Sequence, residues 1–387
     1  MLSKAIEAGL SPIDLTAYLN DLKHLVNIDS GSRCLTGVDQ VTDWLAEGYQ
    51  ALGWSARRFE HQPETFAKSL LLQNQPGETF DLLILCHTDT VFPAGTVAQR
   101  PFSLDADRLH GPGVADMKAG CLMALYAIRQ LQEADLLKGT VGVFLNGEHE
   151  LSCPTVHGDI ENLAKAARLV ITTEPARSDG SCVRQRKGIL RFKVLFRGVS
   201  AHSGVEPEKG ACANTELARF IVDLRDLEDP ARGITVNPGI IRGGSSINVV
   251  SDRAELEIDM RITSLEDGPR LEKWIQHRAL KPFDQRVQIE AQGGITRPPM
   301  LPTEEGDHWI NVINGIAKSY GIDLTWAFSG GGSDASFASP HGIPVLCGLG
   351  PVGGGMHSSR EYLERSSLLG RLHLFRDFLH TYLTQCS

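Results

Sequence analysis

Asp81-Leu82-Leu83-Ile84-Leu85-Cys86-His87-Thr88-Asp89-Thr90 decides how this chain is read. The unbroken apolar run Leu82 to Leu85 is what a strand covered on both faces requires, as in a sheet flanked by helices. It runs straight into a histidine and an aspartate. The carboxyl ends of such strands are where open α/β sheets place their chemistry. Downstream, Gly111-Pro112-Gly113-Val114-Ala115-Asp116-Met117-Lys118 is a glycine-rich turn entering a helix. Lys118 to Ala134 has helical periodicity through Leu122, Leu125, Ile128 and Leu131. Val141 to Leu145 and Leu169 to Thr172 read as two more buried strands, so the region is α/β.

Near Gly188 the pattern changes. Leu190, Phe192, Val194 and Phe196 alternate with Arg191, Lys193 and Leu195, and Ala254, Leu256, Ile258, Met260 and Ile262 alternate with Glu255, Glu257, Asp259 and Arg261. Period two means one packed face and one wet face. Helical stretches at 215–227 and 269–280 and a strand at 287–291 complete a β-α-β-β-α-β order. That order fits a small α+β, ferredoxin-like domain with its helices on one face. Its expected span is 186–293. After Thr296 the α/β pattern returns, with helices at 307–320 and 366–384 and a strand at 344–347. The expected architecture is therefore an α/β domain, 1–185 and 294–387, carrying an inserted α+β domain.

A chain of 387 residues is long for one hydrophobic core, which agrees with two domains. Lys plus Arg is 38 against 47 Asp plus Glu, a net charge of −9, so nucleic acid is a poor partner. The one dense basic run, Arg184-Gln185-Arg186-Lys187, reads as a solvated linker. No apolar run is long enough to span a membrane. Met1 to Leu19 is amphipathic and broken by Pro12, without the basic and apolar regions of a signal peptide. The 8 cysteines are scattered singly, which reads as reduced thiols in a cytoplasmic protein. Cys86 and Cys153 read as packing groups.

The ionisable residues of interest gather at predicted strand ends. They are His87 and Asp89; Asp116 in its glycine turn; Glu148-His149-Glu150; Glu174; and His357 in Gly354-Gly355-Met356-His357-Ser358. Imidazole nitrogens with carboxylate oxygens suit zinc, and also cobalt or manganese. Two histidines and three carboxylates can hold two ions if one carboxylate bridges, and ions about 3.5–4 Å apart can activate one water between them. Taken singly, each residue is an ordinary turn or loop residue. Spacing alone leaves both readings open.

The motifs His87-Thr88-Asp89-Thr90-Val91, Gly113-Val114-Ala115-Asp116-Met117-Lys118-Ala119-Gly120 and Gly330-Gly331-Gly332-Ser333-Asp334-Ala335 together resemble one zinc-dependent family. It is the family of carboxypeptidase G, acetylornithine deacetylase, succinyl-diaminopimelate desuccinylase and aminoacylase, and the chain is most similar to carboxypeptidase G. The resemblance covers nearly the whole chain, from Leu25 to Tyr362. It implies a di-zinc peptidase-like catalytic domain with an inserted dimerisation domain, and a homodimer. It implies two divalent ions per chain, one on His87 and Glu174, the other on Glu150 and His357, with Asp116 bridging. Asp89 would hydrogen-bond His87 and fix its tautomer. His202, in Gly198-Val199-Ser200-Ala201-His202-Ser203-Gly204, would reach across the dimer to the substrate carbonyl. Asn248, Arg261 and Gly331 fall at substrate-binding positions. Arg297 would receive the substrate carboxylate, a task suited to a guanidinium. The substrate implied is a small peptide or N-acyl amino acid with a free carboxylate.

One position departs from the family. Two adjacent glutamates are expected, the first the general base and the second a metal ligand. Here the segment reads Asn146-Gly147-Glu148-His149-Glu150-Leu151, so the base position holds His149. Three accounts stand at this point. His149 is itself the base, having the right pKa range. Or Glu148 takes over, since residues two apart in an extended segment point the same way. Or hydrolysis is crippled and the protein is a metal-dependent binding protein. An aminopeptidase of the same fold is a further reading.

Overall fold

The computed structural model describes Leu10 and Pro12–Cys386. Of the amphipathic start expected over Met1–Leu19, residues 1–9 and 11 lie outside the described residues. The chain divides into two compact units. One comprises Met1–Gln185, Pro302–Phe328 and Phe337–Ser387; the other comprises Arg186–Leu301 and Ser329–Ser336.

The first unit is built on a mixed sheet. Helices α1 (Leu15–Val26) and α2 (Leu35–Gln50) precede strands β1 (Ser55–Phe59), β2 (Ser69–Gln73) and β3 (Phe80–His87). Helix α3 (Ala119–Glu133), strand β4 (Val141–Asn146), helix α4 (His157–Lys165) and strand β5 (Ala167–Thr172) follow. The sheet order is β1-β2-β4-β3-β5, closed by the short strand Val345–Leu346. β3 lies between β4 and β5 and is parallel to both, which brings three strand ends to one edge. β1 and β2 are antiparallel additions. β4 is buried at every position and β3 at all but Asp81, as their apolar runs require.

The expected helix from Lys118 begins at Ala119, because Asp116 (φ −113°, ψ 90°) and Met117 are not helical. α3 then packs hard against the strand layer. A Cβ on Gly120 would stand 2.0 Å from the Thr173 carbonyl oxygen, so only glycine permits that approach. The C-terminal helix Leu368–Cys386 buries Leu372, Phe375, Phe378, Leu379 and Tyr382 in the same core.

The second unit is a four-stranded antiparallel sheet with two helices. Its elements are β6 (Gly188–Arg197), α5 (Ala213–Leu224), β7 (Thr235–Gly243), β8 (Arg253–Ile262), α6 (Asp267–Ala279) and β9 (Gln288–Arg297). The sheet order is β7-β8-β6-β9. β8 alternates strictly between buried and part-exposed residues. Phe192, Val194, Phe196, Leu256, Ile258 and Met260 form one core with Leu217, Phe220, Leu271 and Ile275 from the helices. Each such burial is worth about 1.5–3 kcal/mol before the entropy of ordering is subtracted.

Two sequence expectations need correction here. The strand expected at 287–291 continues to Arg297, so a boundary at 293 falls inside β9. Gly293 and Gly294 interrupt the apolar alternation and hide the continuation. Gly293 has φ 125°, and a Cβ there would meet the Arg191 carbonyl oxygen at 2.1 Å. The basic run is also not a solvated linker. Arg184 pairs with Asp307 through two 2.7 Å hydrogen bonds, and Arg186 is buried in the strand Cys182–Arg186. Among the described residues no helix is long and apolar enough to cross a membrane. All 8 cysteines are free, and Cys86 and Cys153 are buried.

Candidate metal centre

His87 is the last residue of β3, and its ring is 1% exposed. Its Nδ1 donates to the Asp89 carbonyl oxygen at 2.9 Å. A carbonyl only accepts, so the proton is held on Nδ1 and Nε2 is left to face outward. That Nε2 lies 3.1 Å from Asp116 Oδ1. The other carboxylate oxygen, Asp116 Oδ2, lies 3.3 Å from His357 Nε2. His357 Nε2 is in turn 3.4 Å from Glu150 Oε1. One aspartate thus presents one oxygen to each of two imidazoles, the arrangement a bridging carboxylate needs. His87, Asp116 and Glu150 each place one donor atom within 4.8 Å of the others. So do His87, His149 and Glu174.

The electrostatics describe a cluster with surplus negative charge. Burial opposes protonation of His87, but Asp116 and Asp89 together hold its pKa well above the ordinary range. Asp116 and Glu150 push His357 up to about 10. Burial acts against ionisation of Asp116, yet His357 and His87 keep its carboxyl well below the usual carboxylate range. Mixed nitrogen and carboxylate donors in such a field suit a divalent cation of the zinc type.

Asp89 meets the His87 ring twice: its backbone carbonyl accepts from Nδ1 at 2.9 Å, and its carboxylate stands 3.5 Å from the same nitrogen. The carboxylate also accepts from the backbone N–H groups of His149 (3.1 Å) and Glu150 (3.0 Å) and from Ser32 Oγ (2.7 Å). It therefore pins the turn that carries two of the site's side chains.

Glu148 does not face the cluster. The segment after β4 is not extended: Glu148 has φ −139° and ψ 25°, and His149–Leu151 form a 3-10 turn. The two-residue alternation that would align Glu148 with Glu150 is lost. Glu148 Oε1 instead accepts from Thr155 Oγ1 at 2.6 Å and Val156 N at 2.8 Å, tying down the chain that enters α4. His149 does face the cluster. Its Nε2 is 3.6 Å from Glu174 Oε1, and its ring stacks on His87 at 4.1 Å with planes 6° apart.

Sequence reasoning left Glu361 without a role, although it lies four residues after His357. It is 1% exposed and accepts from Gly113 N (3.0 Å), Ala115 N (2.9 Å) and Asp116 N (3.0 Å). Burial raises its pKa to about 7. A glutamate four residues after a candidate histidine is the available signal, but its target lies some 245 residues away in sequence.

The remaining candidates lie in the second unit. His202 and Asn248 are exposed in neighbouring loops, joined by a His202–Val249 bridge and by Ser203 N donating to the Asn248 carbonyl at 3.0 Å. Arg261 is bidentate to Asp259 on its own strand, and its Nη1 donates to the Gly330 carbonyl. Gly331, with Gly332, turns its carbonyl to Arg186 Nη1. Arg297 is 5% exposed, and its Nη2 lies 2.9 Å from Asp334 Oδ1. The guanidinium expected to receive a substrate carboxylate already holds one of the protein's own. A cleft of about 510 Å³ opens in the first unit beside Glu150, lined by Gly31, Arg33, Thr90, Phe92 and Leu151.

Comparison with known proteins agrees with this fold. The chain is 27% identical over 362 residues to carboxypeptidase G2 of Pseudomonas sp. (strain RS-16), covering 92% of this chain and 87% of that one. It is 27% identical over 316 residues to a succinyl-diaminopimelate desuccinylase of Gluconobacter oxydans, covering 76% and 80%. A tripeptidase structure from Staphylococcus aureus superposes with a TM-score of 0.75 at 21% identity, covering 97% of this chain and 100% of that one. A metallo-carboxypeptidase structure from Sulfolobus solfataricus gives 0.72 at 19% identity, covering 95% and 99%. The pattern of peptidase family M20/M25/M40 matches residues 83–381, and the chain belongs to that family.

Proposed function

We propose that this chain is a metal-dependent amidohydrolase that cleaves a peptide or N-acyl amide bond next to a free carboxylate. The observation that carries the reading is Asp116, whose two oxygens face His87 and His357 at 3.1 and 3.3 Å. His87 and Glu174 would hold one divalent ion, Glu150 and His357 the other, and Asp116 both. Two zinc ions there would polarise the scissile carbonyl and activate the attacking water. Asp89 keeps the 149–150 turn in place and, through its carbonyl, sets the His87 tautomer. The cleft beside Glu150 gives room for an acyl or peptidyl group.

The preference for a free carboxylate is supported by the match to carboxypeptidase G2 over 92% of the chain. Both candidate arginines already hold a carboxylate of the protein, Arg261 that of Asp259 and Arg297 that of Asp334; Arg261, with a side chain 25% exposed against 6%, is the more accessible of the two. Asn248 and His202, side by side in exposed loops, would contact substrate. In this reading the inserted unit pairs two chains as a homodimer and His202 serves the partner's site. The scattered free thiols support a cytoplasmic setting.

A second reading has one specific observation behind it. The base position holds His149, and Glu148 is engaged by Thr155 and Val156. On that reading the protein binds a carboxylate ligand through its metals but hydrolyses little.

The test is to load the purified protein with zinc and screen N-acyl amino acids and dipeptides beside their C-terminal amides. Turnover of free-carboxylate substrates with little turnover of the amides is expected. Equal turnover of both would remove the carboxylate assignment. Inactivity throughout, with metal and a carboxylate ligand still bound, would select the second reading.

A further inference from the structure

We infer that His149 is a metal donor that completes a four-donor set on the His87 side, so the two metal positions differ in kind. The inference rests on the di-metal reading and goes beyond it, since that reading gives His149 no bond to metal. His149 Nε2 lies 3.6 Å from Glu174 Oε1. Donors at about 2.1 Å from a tetrahedral zinc stand about 3.4 Å apart. The His87, His149 and Glu174 donor atoms all lie within 4.8 Å of one another. The neighbours of Nε2 are thus metal donors, which is where a ligand belongs.

The local fold holds the ring in that place. Its backbone N–H is pinned by Asp89, and one face is stacked on His87 with planes 6° apart. An imidazole whose Nε2 lone pair is given to a cation cannot accept a proton at that atom. Donor and base are exclusive roles for this nitrogen.

His87, His149 and Glu174 form one group of donors; with Asp116 bridging as in the proposed function, the donors number four on that side and three, His357, Glu150 and Asp116, on the other. Four protein donors make a closed, structural type of zinc site, whereas three leave a position open for water or substrate. Burial runs in the same direction. The His87, His149 and Glu174 side chains are 1%, 8% and 10% exposed; on the other side Glu150 is equally buried at 8%, and it is His357, 56% exposed, that opens that side to solvent. The interior side is closed and tight; the His357 side is open and exchangeable. The open side is also the one beside the Glu150 cleft.

The experiment is a zinc titration of metal-free protein against a chromophoric chelator, with X-ray absorption spectra at one zinc equivalent. The wild type is expected to bind two ions in two affinity classes, the first surrounded by two imidazoles. His149→Ala should weaken the first class by roughly 100-fold or more, beyond the ~10–100-fold typical of losing an outer hydrogen-bond partner. Its spectrum should show one imidazole. His149→Asn, a smaller change of shape, should behave like the alanine variant. A wild-type spectrum with one imidazole, which requires no variant, overturns the inference. So does a folded His149→Ala protein with unchanged first affinity. In both cases two bound ions leave the di-metal reading standing, whereas a wild type that binds no zinc removes both.

Discussion

Replacing Glu361 with alanine removes the acceptor of three backbone N–H groups, those of Gly113 and Ala115, which are buried, and of Asp116, which is part-buried. Each orphaned donor costs about 1–3 kcal/mol, and water entering the vacated space recovers part, so the loss should be about 3–5 kcal/mol. Glutamine is a milder change. It keeps one oxygen for Ala115 and Asp116, but its NH₂ meets the Gly113 N–H, at a cost of about 1–2 kcal/mol. The glutamine deficit should also depend on pH. Burial raises the Glu361 pKa from 4.5 to about 7. With the folded value above the unfolded one, the acid's contribution is full below about pH 4.5 and is lost as pH rises through about 7. Glutamine lacks this dependence. The wild-type advantage over Glu361→Gln should therefore fall by up to about 3 kcal/mol from about pH 5 to about pH 8, more than the advantage itself, so that the glutamine variant becomes the more stable protein at the upper end. Urea unfolding of metal-free proteins at both pH values measures this. Because the tether ends on Asp116 N, Glu361→Ala should also lower bound zinc after dialysis against a buffered chelator. An alanine variant within about 0.5 kcal/mol of wild type, with full zinc content, would refute the reasoning.

Asp116→Ala should take zinc from close to two ions per chain to below one, read by elemental analysis; a saturated wild type that never exceeds one ion contradicts the bridge. Since His357 is pushed up to about 10 by Asp116 and Glu150, it is protonated at neutral pH in the metal-free protein, and zinc must displace that proton. Calorimetry in buffers of different ionisation enthalpy should show proton release, with zinc affinity falling as pH falls. Glu148→Ala should destabilise by about 2–4 kcal/mol through the lost Thr155 and Val156 contacts while leaving zinc content unchanged; unchanged stability with lost turnover would restore Glu148 as the base. Arg297→Ala should cost about 3–5 kcal/mol by stranding buried Asp334, and Arg297→Ala with Asp334→Ala should recover part of that in urea unfolding.

Much of the architecture was legible in residue order. Leu82–Leu85, Val141–Leu145 and Leu169–Thr172 announce buried strands, and β3 between β4 and β5 carries His87, His149, Glu150 and Glu174 to one edge. The period-two stretches of the second unit announce its one-faced sheet, because alternation is a local property of extended chain. What residue order could not supply is where a side chain turns once the chain leaves a strand. Glu148 and His149 are adjacent, yet one ties down the approach to α4 and the other faces Glu174, because a 3-10 turn replaces the extended backbone. Buried polar partners are equally hidden. Asp89 meets His149 N some 60 residues away, Arg297 meets Asp334 some 37 away, and Glu361 meets Asp116 N some 245 away. Each is set by the need of buried donors and acceptors to find one another in the folded chain. Strand identity is a local energetic preference, whereas these pairings exist only after distant segments have been packed together.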